Sequence, residues 1–167
     1  TAVMEVKQEK DAGGRLIYRF VSTARTIGLV DKAYTVRDSV QSVVDGQTLE
    51  SISYDLDQRH GSRKKKRKLT FDQAKQKVTS VADGVESVAD VPAHTQDALS
   101  SLYYVRSAPE FIVGKPVVVG IFDSGKYWDV EIHVLGREKV TTPVGEFDTI
   151  KVKTYPKYEG VFMHKGE

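Results

Sequence analysis

DALSSLYYVR (Asp97–Arg106) and FDSGKYWDVEIHVLGREKVTTPVGEFDTIKV (Phe122–Val152) are the stretches whose reading decides the fold. In the second, Trp128, Val130, Ile132 and Val134 alternate with Tyr127, Asp129, Glu131 and His133. A period of two is that of a half-buried strand, whose successive side chains point to opposite faces. Ser124-Gly125, Gly136 and Pro143-Val144-Gly145 supply turn chemistry, so the pattern predicts strands over Tyr127–Leu135, Glu138–Thr141 and Phe147–Thr154. The first stretch has a different period. Ala98, Leu102 and Val105 share one helical face, with Leu99 and Tyr103 beside it. Thr95 or Asp97 offers an oxygen to cap the helix.

Period two extends outward to the start of the chain. Ala2, Met4 and Val6 lie opposite Glu5 and Lys7. After the turn-like Asp11–Gly14, Leu16, Tyr18 and Phe20 alternate with Arg15, Ile17 and Arg19. Tyr34, Val36, Val40 and Val44 oppose Thr35, Arg37, Ser39 and Gln41, with Asp38 breaking the apolar face. Such an acid must pair internally or mark the exit from the core. Further strands are expected at Leu49–Leu56, Lys65–Phe71, Gln76–Val81, Val85–Val91 and Pro116–Phe122. Asp45-Gly46 and Asp83-Gly84 read as hairpin dipeptides, because both residue types tolerate positive φ. The expectation is an all-β domain over 1–167: a strongly curved antiparallel sheet or β-barrel of about ten strands with one short helix.

Composition bounds the function. At 167 residues and 40% apolar content, the chain folds without a disulfide or metal. The absence of Cys removes thiolate ligands and cysteine nucleophiles. The chain opens at Thr1 without a signal-peptide pattern, the form expected of a processed or trimmed product. Of 25 basic residues, seven fall in Arg59–Lys68, a window without Asp or Glu; the remainder carries 18 basic against 23 acidic residues. A mildly acidic body with one basic stripe is not a general nucleic-acid binder, and none is expected as a partner.

Arg63, Lys64, Lys65, Lys66, Arg67 and Lys68 are the candidate contact with an anionic surface, such as lipid headgroups. The competing reading is a solvated hairpin whose charges on both faces project beyond the core and deter aggregation. Tyr18, Phe20, Tyr34, Leu102, Tyr103 and Trp128 are candidates to line a pocket for an apolar ligand inside a barrel; the same aromatics can simply fill a core. His60, His94, His133 and His164 have no metal-ligand spacing. Asp129, Glu131 and His133 share a strand face and read as a polar ladder. Asp123-Ser124-Gly125 lacks the strand–elbow–helix context of a nucleophile, and Ser100 and Ser101 have no nearby base. Arg106 and Glu110 are an expected surface ion pair. No cofactor motif is present.

DALSSLYYVR, the block from Phe122 to Val152, YTVRDSVQSVVD (Tyr34–Asp45) and KLTFD (Lys68–Asp72) together resemble the bacterial domain-of-unknown-function 3108 family. That resemblance implies an exported protein of the Gram-negative envelope, made with a signal peptide and periplasmic or outer-membrane-associated. Members continue past the equivalent of His164–Glu167 into another strand, so a final C-terminal strand is expected to be lacking here. No established activity or functional residue comes with the family. The leading expectation is a non-catalytic periplasmic protein holding a lipid or other apolar molecule in a barrel; the alternative is an envelope scaffold with a filled core. Oligomeric state is not legible.

Overall fold

Alternation produces ten strands among the described residues. The structure, a computed structural model, describes residues 1–108 and 110–157. In chain order the elements are β1 (Ala2–Lys10), β2 (Leu16–Arg25), α1 (Gly28–Ala33), β3 (Val36–Asp45), β4 (Ser51–His60), β5 (Arg63–Asp72), β6 (Lys77–Ala82) and β7 (Val85–Asp90). They are followed by α2 (Ser100–Arg106), β8 (Val117–Asp123), β9 (Lys126–Thr142) and β10 (Gly145–Lys157). The expected lack of a final strand concerns His164–Glu167, outside the described residues.

The strands form two antiparallel sheets. β1 to β7 are a seven-stranded meander in sequence order; the second sheet has the order β10-β9-β8. Among the described residues no closed barrel forms, because hydrogen bonds do not join the sheets edge to edge. At β7 the last ladder contact is Val91 N–H donating to Gln76 O at 2.9 Å, and Pro92 then has no N–H to continue. The chain crosses over instead. Gln96 makes an isolated parallel bridge to Ile121, with Gln96 N–H donating to Gly120 O and Phe122 N–H donating to Gln96 O, both at 2.8 Å.

Register decides which residues meet beneath that crossover. Phe20, Ser42, Tyr54, Leu69 and Ser80 are successive cross-strand partners over β2 to β6 and so share one face. Phe20, Val44, Tyr54, Leu56, Leu69, Phe71 and Val78 from this sheet pack with Val91, Leu99 and Phe122 in one buried cluster. The helix closes over it, with the Tyr103 ring stacked on Phe20 at a centroid distance of 3.8 Å.

Three local expectations change and two hold. Asp45-Gly46 is not a two-residue hairpin: Asp45 Oδ1 accepts from Gln47 N–H and Thr48 N–H and organises the longer loop before Ser51. Asp83-Gly84 and Ser124-Gly125 are two-residue turns with positive φ throughout. The expected break at Gly136 is absent; β9 runs through it, and the register shift between Lys151 and Val152 is absorbed there as a bulge. A second helix, α1, has no counterpart in the sequence reading.

Candidate functional site

The six residues expected to line a ligand pocket do not surround one space. Phe20 lies in the core, Tyr18 and Tyr103 pack against it, and the Phe20–Tyr103 stack occupies the position between sheet and helix. Leu102 is 45% exposed. Tyr34 is also exposed and sits at the end of α1 beside Gly61, whose missing Cβ would lie 3.2 Å from its ring. Trp128 belongs to the second sheet, where its Nε1–H donates to Asp123 O at 3.3 Å.

The basic run divides by face. β5 is an inner strand, paired to β4 along Arg63–Thr70 but to β6 only from Arg67 onward. Arg63–Lys66 therefore extend with β4 beyond β6, where β4 is still paired to β3 through His60, whereas Arg67 is paired on both sides. It turns toward the core side, its side chain 10% exposed, and donates to Asp123 Oδ1 at 3.0 Å and Ser124 Oγ at 3.3 Å. It ties the two sheets together and is withdrawn from the anionic-surface set. Lys66 pairs with Asp57 at 2.8 Å across the β4–β5 ladder. That aspartate holds the Lys66 ammonium above its ordinary pKa, chiefly by hydrogen bonding. Lys64 and Lys68 remain exposed beside an open groove of about 750 Å³, which also takes in Asp55, Asp57 and Lys66.

The remaining polar candidates are paired locally. His60 Nε2 lies 2.9 Å from Asp38 Oδ1, so the acid that interrupted the β3 pattern pairs internally near the sheet end. His94 Nδ1 meets Glu50 at 2.6 Å, and His133 Nε2 meets Glu131 at 2.9 Å. Tyr127 donates to Asp129 at 2.6 Å; burial, then this bond, pushes its phenol up to about 12. Among the described residues no three His, Asp or Glu side chains are gathered to hold a metal ion. Arg106 does not pair with Glu110; its guanidinium lies 6.0 Å from the Tyr103 ring centroid. His164 lies outside the described residues.

One constellation was not legible. Asp97 is fully buried, as are Ser42, Ser51 and Ser100. Asp97 Oδ2 accepts from the Ser42 hydroxyl at 2.7 Å and from the Ser51 hydroxyl, while Oδ1 accepts from Leu99 N–H and Ser100 N–H, both at 2.8 Å. Ser101 N–H donates to Asp97 O at 3.0 Å, which makes Asp97 the working N-cap, ahead of α2's first regular residue. Burial pushes the Asp97 carboxyl above the ordinary carboxylate range, against the opposing pull of its hydroxyl and amide donors. Gln73 Nε2 donates to Ser51 O and Thr95 O at 2.9 Å, extending the network. The hydroxyls are closed to solvent, and among the described residues no histidine hydrogen-bonds to them. The arrangement fastens the helix N-terminus to β3 and β4.

Sequence spacing marked Asp97 as a cap but not its serine partners, which lie 55 and 46 positions away. Their signal exists only once strand register is known. No curated protein and no solved structure matches this chain. The family model described as "Protein of unknown function (DUF3108)" matches residues 1–167, the whole chain. The chain therefore belongs to the DUF3108 family.

Proposed function

We propose that this is a non-catalytic, exported protein of the Gram-negative cell envelope that works as a scaffold, by surface contact with another macromolecule. The observation that carries this reading is the stacked Phe20–Tyr103 pair, which puts two of the candidate lining residues where a ligand would have to lie. The second sheet supports it. β9 pairs with β8 only through Ile132, so the rest of β9 and most of β10 stand out as a two-stranded arm. On that arm Val140 and Phe147 are cross-strand partners on one exposed face, and Val144 is at the tip. Exposed apolar side chains on a projecting hairpin fit a contact surface.

A photoactivatable phenylalanine analogue placed at Phe147 tests this in envelope preparations, with Ala74 on the β5–β6 turn as the control position. The scaffold reading predicts one discrete crosslinked product from position 147 that is absent from position 74 and lost in Val140→Ser. Diffuse labelling at both positions would overturn it. The competing reading, an interior site for a lipid, predicts no difference between the positions and a lipid that survives purification.

A further inference from the structure

We propose that the end of the seven-stranded sheet carrying α1 docks on a bilayer with anionic headgroups, inserting Ile27, Leu29 and Val30 within a belt of cations. This goes beyond the scaffold reading and does not rest on it.

The belt is created by register. Arg25 is the cross-strand partner of Arg37, Arg37 of Arg59, and Arg59 of Lys64. Four cations thus stand side by side on one face of β2 to β5, a row roughly 14 Å wide at ordinary strand spacing. Like charges placed directly opposite one another destabilise a sheet unless something neutralises them. Among the described residues only Arg37 of the four has a carboxylate: both terminal guanidinium nitrogens donate to Asp31, at 2.7 Å each. Among the described residues Arg25, Arg59 and Lys64 have no ion-pair partner, nor do Arg63 and Lys65 at the adjoining hairpin. Three nearby acids are already occupied: Asp31 by Arg37, Asp38 by His60, Asp57 by Lys66. Asp83, which lines an open pocket with Arg63, Lys64 and Lys65, makes a 3.5 Å contact with Lys66 N–H and, among the described residues, no ion pair. Arg25, Arg37 and Arg59 also share the lining of one open groove of about 690 Å³.

The apolar component lies in the connection between the first two strands of that row. α1 buries no residue; Ile27, Leu29 and Val30 are 58%, 81% and 63% exposed. Six residues cannot hold a helix by themselves, and this one is fixed by polar clamps. The Thr26 hydroxyl donates to Asp31 at 2.6 Å, Val36 N–H donates to the Thr26 hydroxyl at 2.9 Å, and Gly61 N–H donates to Thr35 O at 2.7 Å. The last bond joins the α1 connection to the basic β4–β5 turn. The result is an apolar tip held outward at a sheet end that carries Arg25, Arg37, Arg59 and Lys64 on one face and Arg63 and Lys65 on the other. Apolar side chains sinking to the acyl boundary while cations meet phosphates is how a protein lies on an anionic membrane. A nucleic acid would use the cations but has no place for exposed Ile, Leu and Val.

The test uses the full chain, with Leu29→Trp as a second, fluorescent form, and sedimentation with vesicles. The probes are phosphatidylethanolamine–phosphatidylglycerol vesicles, phosphatidylcholine vesicles and duplex DNA. The proposal predicts binding to the anionic vesicles alone, weakening as salt is raised, with a blue shift of the Leu29→Trp emission. Replacing both Arg59 and Lys64 by Ser should weaken binding about 25-fold, at roughly fivefold per surface cation. Leu29→Ser with Val30→Ser should weaken it at least about tenfold at low and high salt alike. All four sites are exposed, and unchanged thermal melting confirms that the variants are folded. Equal binding to phosphatidylcholine, binding to DNA alone, no binding, or binding untouched by Leu29→Ser with Val30→Ser would each overturn the proposal.

Discussion

Phe20 lies buried beneath the Tyr103 ring, and truncating it would leave a cavity under α2. Phe20→Ala is expected to cost about 3–5 kcal/mol, read from urea unfolding. Leu102 sits one residue from Tyr103 yet is nearly half exposed, so Leu102→Ala should stay within about 0.5 kcal/mol. Equal losses would mean that the helix face has been misassigned. Asp97 sets a second contrast. Asp97→Ala removes the cap, worth about 1 kcal/mol, and strands the buried Ser42 hydroxyl at about 1–3 kcal/mol, leaving Ser51 its weaker contact with Ser100 Oγ at 3.2 Å. The expected loss exceeds that of a cap alone, and Asp97→Asn, which keeps one acceptor oxygen, should recover part of it. Denaturant titration of the two variants checks the order. The alternation around Phe20 was readable from its neighbours, because core direction along a strand is a local property. The partners of Asp97 were not, because they sit on other strands and no local pattern records them.

At the scale of elements, tight turns and strand alternation were the legible part. Asp83-Gly84 and Ser124-Gly125 carry backbone conformations that their residue types favour, and the strands flanking them lie where the pattern places them. Gly136 misled for a physical reason: a glycine inside a strand serves a bulge as readily as a turn, and only the partner strand decides. The helix α1 was invisible because its apolar residues face outward and its stability comes from Asp31 and Thr26 contacts. Arg37, ahead of the Thr26 hydroxyl, holds the Asp31 carboxyl down to about 2, well below its ordinary 3.8. A depressed carboxylate pKa lends support above the unfolded-state value, and that support is lost as pH falls from about 4 toward 2. The β9–β10 arm behaves differently from the sheets. Beyond Val134 it has two strands and no buried residue, the condition for marginal stability. Hydrogen exchange should therefore be fast for Arg137–Val140 and slow for Ser42–Val44 in β3; comparable protection would show that the arm is packed.

For the molecule as a whole, an antiparallel all-β architecture was readable and its closure was not. Whether ten strands make one barrel or two sheets depends on what the chain does after Val91, where Pro92 and the buried Gln96–Asp97 segment turn it across the core. That crossover buries Gln96, Asp97 and Leu99 against the seven-stranded sheet, and with the Phe20–Tyr103 stack it is the basis of the scaffold proposal. The same meander aligns Arg25, Arg37, Arg59 and Lys64, residues spread over forty positions of sequence with no common motif. Native mass spectrometry of the protein released gently from bacterial envelopes, paired with organic extraction, addresses the central claim most directly. The account predicts the mass of the polypeptide alone and no stoichiometric lipid in the extract. A bound apolar molecule at one per chain would contradict it.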